Sequence, residues 1–483
     1  MRRVCLALAL VCGVSMNVAA QLPLRLTLQE AISRARTRGP TALAAKASRD
    51  AARARDRAFG AALMPQVALS GNLPAYNRSI IPVLQQDGST VFRPQEQNQS
   101  DLNMAISQRI PLTGGDVFIN SGLSRIDRVG SFSSRTFQTT PVQVGIRQDL
   151  LRPNRQRWDN REQGLRADVA ERAYHEALED VAIATANAFF DYYTAKLGLE
   201  NAAANALVND TLFTLNKGRF EVGKIGENDL LQSELALLRA QVALDGARLE
   251  HDRTLAALRL SLDLPTGAPL EIVVPNDIPE FVADTVIAVQ MAHKHRAQML
   301  EIELQQVQAD RRIAEARFGA GFGGTLTASM GLNQSAGTLD SAYRDLREAQ
   351  RFTVGISIPL VQWGGRSASI QAARLDGDRV EYTTRQTREQ TAQEAHFAAL
   401  GVAQARRQLT IAAKADTVGA KRFEVAKNRY VIGRIGIDNL YQAQAEKDAA
   451  LVSYLQSLRG YWVAYYRLRR VTMFDFAAGT AIR

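Results

Sequence analysis

The sequence is poor in cysteine, histidine and long apolar runs, and each shortage removes a class of chemistry. Cysteine occurs twice, at Cys5 and Cys12. Both lie in the opening segment MRRVCLALALVCGVSMNVAA, where two arginines precede an apolar run and small residues follow. That is the pattern of a secretory signal peptide over 1–20, with cleavage expected after Ala20. The mature chain would then hold no disulfide, no thiolate metal site and no cysteine nucleophile. Val11 stands where a lipid-attachment signal needs a small residue before Cys12, so no lipid anchor is expected. Three of the five histidines, His175, His251 and His396, are scattered. His293 and His295 have no third ligand nearby and read as a helix end rather than a metal site. After the signal, no apolar run approaches the ~20 residues of a transmembrane helix. Entry into a membrane would have to be as a β-barrel, because only helices and closed barrels satisfy their backbone there. There is no P-loop, no G-x-S-x-G and no spacing that supports a triad. GAGFGG (319–324) matches G-x-G-x-x-G, but a helix precedes it and a strand follows, the reverse of a dinucleotide site. No enzyme activity, cofactor or metal is expected.

What is present suits a packed chain of 483 residues, 46% apolar and 22% charged. The net charge of +10 would suggest nucleic acid in a cytosolic protein. Here the arginines are spaced along helical stretches with no basic block interleaved with aromatics, so they read as solvated faces and no nucleic-acid partner is expected.

Residues 26–63 are Ala/Arg-rich and helical in pattern, broken at Gly39-Pro40, with Thr27 and Glu30 spaced as a capping box. At PQVALSGNL (65–73) the period changes to two, the mark of a strand. LNMAISQ (102–108) and DVFINSGLS (116–124) flank Thr113-Gly114-Gly115 and read as a hairpin. VQVGIRQDLL (142–151) is a further strand. Residues 154–222 form a long helix free of proline. Another helix runs over 227–262, and LPTGAPLEIVVPNDIPE (264–280) breaks the pattern with four prolines. The plan then repeats: helix 285–318, strands at 325–333 and 351–360, a long helix 366–432 and a last helix to about 474. In that helix Leu451, Leu455, Leu458, Trp462 and Tyr465 step by 4 and 3, as in a coiled coil.

The repeat is literal in places. RFEVGKIGENDLLQSE (219–234) aligns without a gap to RYVIGRIGIDNLYQAQ (429–444), an offset of 210. The strands VQVGIRQDLL and FTVGISIPLV share that offset, while the early helices match at 257. The first half therefore carries about 47 extra residues between its matched strands, where the additional hairpin lies. A tandem duplication is the reading, with repeats over 21–280 and 281–483. The long helices have about 67 residues, or roughly 100 Å at ~1.5 Å per residue. The shorter helices are half that length, so 227–262 could stack with 285–318, and 437–474 with 26–63. The expected fold is mainly α with a transmembrane β-barrel part: long α-helical hairpins plus about four strands per chain.

On these residues the chain resembles the TolC family of outer-membrane efflux and secretion channels. The features are LTLQEAI at 26–32, the helix-to-strand step PQVALSG, QDLL at the strand end, and both R-[FY]-x-x-G-x-x-G turns leading to a leucine. The resemblance covers essentially the whole mature chain. It implies a homotrimer with a twelve-stranded barrel in outer-membrane lipid and a helical tunnel in the periplasm. It also implies two partners, a periplasmic membrane-fusion adaptor and an inner-membrane pump of the resistance-nodulation-division or ABC type. The two turns would be hairpin tips, with Gly223, Gly226, Gly433 and Gly436 supplying positive φ. With Lys224, Ile225, Arg434 and Ile435 they would form the adaptor-docking surface. The periplasmic aperture would be narrowed by residues just past the tips, at Asp229 and Gln232 in the first repeat and Asn439 and Gln442 in the second. A well-known relative carries aspartates at both second-repeat positions. This chain departs from that, with Asp438 one residue out of register. A carboxylate ring at Asp229 or Asp438 stands beside the reading of a solvated or N-cap aspartate. The implied function is passive exit for substrates of a tripartite efflux pump. The alternatives are the exit duct of a type I protein secretion system and, in another class, a periplasmic coiled-coil adaptor or scaffold.

Overall fold

The computed structural model describes residues 24–129, 133–275, 278–319 and 321–482. The expected signal peptide and both cysteines lie outside them. The chain begins with β1 (Leu24–Thr27), then α1 (Leu28–Arg38) and α2 (Pro40–Ala62). Four strands follow: β2 (Gln66–Leu84), β3 (Thr90–Ile110), β4 (Gly115–Val129) and β5 (Ser134–Leu150). The first helical hairpin is α3 (Arg155–Glu221) with α4 (Glu227–Ser261). The second half is β6 (Leu270–Val273), α5 (Thr285–His295), α6 (Ala297–Gly319), β7 (Gly323–Ala336), α7 (Leu339–Ala342) and β8 (Arg347–Ser357). The second hairpin is α8 (Gly365–Val431) with α9 (Ile437–Thr472), and β9 (Phe474–Asp475) and β10 (Thr480–Ala481) end the chain. Among the described residues no helix is long and apolar enough to cross a membrane.

Local signals set the helix ends. Thr27 accepts from the Glu30 backbone and Glu30 reaches back to the Thr27 N–H at 2.8 Å, completing the expected capping box. Helix α1 stops at Gly39, where Pro40 starts a new helix, as proline suits a first turn. The two long helices are 67 residues each, as their proline-free runs predict. One pairing was not visible in the sequence. The proline-rich linker hides β6, which pairs in parallel with β1 from Leu24↔Leu270 to Thr27↔Val273.

The described residues form two compact units, and each draws on both sequence repeats. One comprises 24–46, 175–292 and 393–482. Its core gathers Phe189 and Phe190 of α3, Leu258 of α4, and Leu458, Tyr461, Trp462, Tyr465 and Tyr466 of α9. The buried carboxylate of Glu179 sits among them, held by Arg36 at 2.5 Å and Arg469 at 3.2 Å. An unpaired charge there would cost about 3–5 kcal/mol, because a buried charge without a partner keeps its full desolvation penalty.

The other unit comprises 47–174 and 293–392 and contains the sheet. Arg311 of α6 bonds Asp159 at 2.7 Å and Glu162 at 3.0 Å, fixing α6 on α3. The sheet is antiparallel with order β2-β3-β4-β5-β7-β8. The four strands expected in the matched halves are present as β2, β5, β7 and β8. The extra hairpin supplies β3 and β4, full members of the same sheet, so the sheet has six strands. Residues 90–95 pair only with β2, so β2 and β3 run on as a two-stranded ribbon.

Candidate functional site

Both Gly-x-x-Gly turns fold alike. In the first, Gly223 N–H donates to Phe220 C=O at 2.9 Å and Lys224 N–H to Arg219 C=O at 2.8 Å. In the second, Gly433 donates to Tyr430 and Arg434 to Arg429, both at 2.9 Å. These paired bonds are Schellman caps, which need a left-handed residue after the helix. Gly223 and Gly433 supply it, at φ +71° and +75°. Gly226 and Gly436 do not share this role. They are the N-caps of α4 and α9 in extended conformation, φ −81° and −72°, which corrects the reading of all four as positive-φ glycines.

Lys224 and Arg434 stand exposed beyond the caps, while Ile225 and Ile435 are half-buried. Ile435 packs against a small cluster of Leu212, Tyr430, Ile437 and Leu440, which joins the two hairpins near their tips. Polar bonds cross the same seam. The Tyr430 hydroxyl donates to Asn216 Oδ1 at 2.7 Å in a buried site. Arg219 Nη2 donates to Val431 C=O at 2.9 Å and its guanidinium lies over the Tyr430 ring. The repeat is thus unequal where it matters: Phe220 and Ala426 occupy the positions matching Tyr430 and Asn216 and make neither bond.

The structure brings two aperture candidates together. Gln232 Nε2 donates to Asp438 Oδ1 at 2.6 Å, linking α4 to α9 just past the tips. Asp229 lies in the first turn of α4, where the helix dipole favours a negative charge. It makes no hydrogen bond or ion pair among the described residues. Asn439 is exposed, and Gln442 donates to Glu446 within α9 at 3.1 Å.

Farther from the tips, α3, α4 and α9 enclose a cavity of 680 Å³ that sequence reasoning missed. Asp448 accepts from Asn201 at 2.7 Å and Asn205 at 2.9 Å on one side of it. Asn209 Oδ1, the Tyr441 hydroxyl and Gln444 Oε1 also border it without a hydrogen-bond partner. Burial pushes the Tyr441 hydroxyl up to about 12, so it stays neutral. The signal in the sequence was Asn201, Asn205 and Asn209 spaced four apart on one helix face. No cluster of three metal-ligating acidic, histidine or cysteine side chains occurs among the described residues.

Residues 288–472 match a family model described as outer membrane efflux protein. The chain is similar in structure to the CmeC outer membrane channel of Campylobacter jejuni, at 17% identity, covering 94% of this chain and 86% of that one, TM-score 0.67. It is similar to the outer membrane protein VceC of Vibrio cholerae, at 15% identity, 94% and 97% coverage and TM-score 0.67. The open state of the MtrE outer membrane channel of Neisseria gonorrhoeae also matches, at 15% identity, 94% and 90% coverage and TM-score 0.62. At these identities the likeness establishes a shared fold. No curated protein sequence matches the chain.

Proposed function

We propose, from the premise that this chain carries an outer membrane efflux protein domain on the fold of outer-membrane channels, that it is the exit channel of a tripartite efflux pump. Three copies form a passive duct through outer-membrane lipid. A periplasmic membrane-fusion adaptor docks on the ring of tips at 223–226 and 433–436, and an inner-membrane pump supplies the energy. Members of this family are transport proteins, not enzymes.

The observation that carries the reading is the sheet. Among the described residues it leaves the outer edges of β2 and β8 unpaired. It also exposes an apolar face, with Val67 67%, Met330 65% and Phe352 73% accessible. Open edges are excluded from lipid, and six strands are fewer than the eight of the smallest single-chain barrels. Closure therefore needs further copies. The helices supply matching seams. Leu231, Leu238, Val242 and Leu249 lie exposed on one side of α4, and Ile411, Val418 and Val425 on one side of α8. Each row follows the heptad spacing that packs a partner helix. The number three comes from the family resemblance.

In this reading the bond from Gln232 to Asp438 holds the two hairpins of each copy together at the aperture. The test is single-channel recording of the purified protein in planar bilayers. Asp438→Ala and Gln232→Ala should each raise the open conductance without any partner protein. A parent protein that forms no channel would overturn the proposal.

A further inference from the structure

The extra hairpin lies in the sheet with the character of membrane wall. A single row of side chains crosses five strands in register: Val67, Ile106, Ile119, Val144 and Met330. The next row toward the helices contains Val117, Ile146, Ala328 and Phe352. On β3 and β4 these positions belong to the extra hairpin, and they continue the apolar face except at Gln108 of β3, which pairs with Val117. The opposite face carries Ser107 and Arg109 of β3, Asp116, Phe118 and Asn120 of β4, and Arg147 of β5 around a cavity of 480 Å³, polar or charged at all of these but Phe118. Apolar on one side and charged on the other, with period two, is the pattern of a barrel strand between lipid and a watery lumen. A hairpin that capped an outer mouth in water would have no cause to keep that apolar face in register with its neighbours.

We infer that the extra hairpin enlarges the pore: three copies close an eighteen-stranded barrel, not the twelve that the family resemblance implies. This inference rests on the proposed trimeric channel. Barrel diameter grows roughly linearly with strand number, so the pore is about 1.5 times as wide as a twelve-stranded one and about twice the area. Its charged and amide-lined inner face suits large hydrated solutes rather than small apolar ones, which need no such width.

The experiment uses the full mature chain in planar bilayers and threefold-averaged electron microscopy of the detergent-solubilised protein. Eighteen strands around the axis support the inference. Twelve strands, with 90–129 outside the wall, overturn it while leaving the channel itself intact. A parent that makes no channel overturns the reading beneath it instead. Removing residues 90–133 joins β2 through its own Asp87-Gly88 turn to β5, and conductance should fall about twofold. Because that deletion can fail to assemble, single cysteines give a second readout in a cysteine-free mature chain. Ser107→Cys and Asn120→Cys should react with a charged, water-soluble thiol reagent and reduce the current, while Ile106→Cys and Ile119→Cys should not. Equal reaction at all four positions overturns the inference.

Discussion

At the scale of single residues, the two tips separate glycines that look interchangeable. Gly433 sits at positive φ, where a side chain costs on the order of 1–2 kcal/mol. Gly436 is an N-cap, where serine is preferred to glycine. Gly433→Ser should therefore destabilise and Gly436→Ser should be neutral or stabilising, as measured by thermal unfolding in detergent. The same pair of outcomes is expected at Gly223 and Gly226. Tyr430 offers a second case. Its hydroxyl is the partner of Asn216, a side chain with no exposure whose Nδ2 already lacks a bond. Tyr430→Phe leaves that amide wholly unsatisfied and should cost about 1–3 kcal/mol. Glu30 gives a pH dependence. The Thr27 backbone N–H, then its hydroxyl, hold the Glu30 carboxyl below its ordinary value. The folded state therefore favours the ionised form. Its contribution is complete above the ordinary carboxylate range and is lost as pH falls through the lowered value. Glu30→Gln should remove that part of the acid sensitivity in a pH series of unfolding curves.

At the scale of elements, the coiled-coil pattern has two uses. Inward positions of α9 such as Leu455, Leu458 and Trp462 are buried within the chain. The heptad rows on α4 and α8 are not, and they are the proposed contact between copies. Leu238→Lys or Val418→Lys places a charge on that seam without touching the chain's own core. Each should convert trimers into monomers on size-exclusion chromatography in detergent while the helix content by circular dichroism is kept. Retention of full trimer by both variants would remove the seam from the interface.

At the scale of the whole molecule, the exposed apolar sheet face and the open β2 and β8 edges make the isolated chain incomplete. The protein should require detergent for solubility and should migrate as a heat-resistant trimer. Negative-stain images should show threefold particles. Monodisperse monomers in plain buffer would favour a periplasmic coiled-coil protein instead. The two sequence repeats do not become two separate bodies. Each compact unit takes segments from both, because a half-length helix or a strand pair cannot bury its apolar face alone.

The sequence by itself determined the helices, their ends and the tips. These depend on neighbours a few residues away: proline-free runs, the capping box at Thr27 and Glu30, and glycine at Gly223 and Gly433. It also determined that strands lie between the helices, since period two is local. Only the tertiary structure decided which contacts the duplicated tips make. The bonds of Tyr430 to Asn216 and of Gln232 to Asp438 join residues more than two hundred positions apart. It alone revealed β6, whose four residues gain their order from pairing with β1 rather than from their own propensity. The sheet shows the division most clearly. Alternation and short turns mark β2 to β5 as strands that pair with their sequence neighbours, but β5 beside β7 joins Phe137–Leu150 to Gly324–Ala336, a register between distant segments that no local pattern specifies.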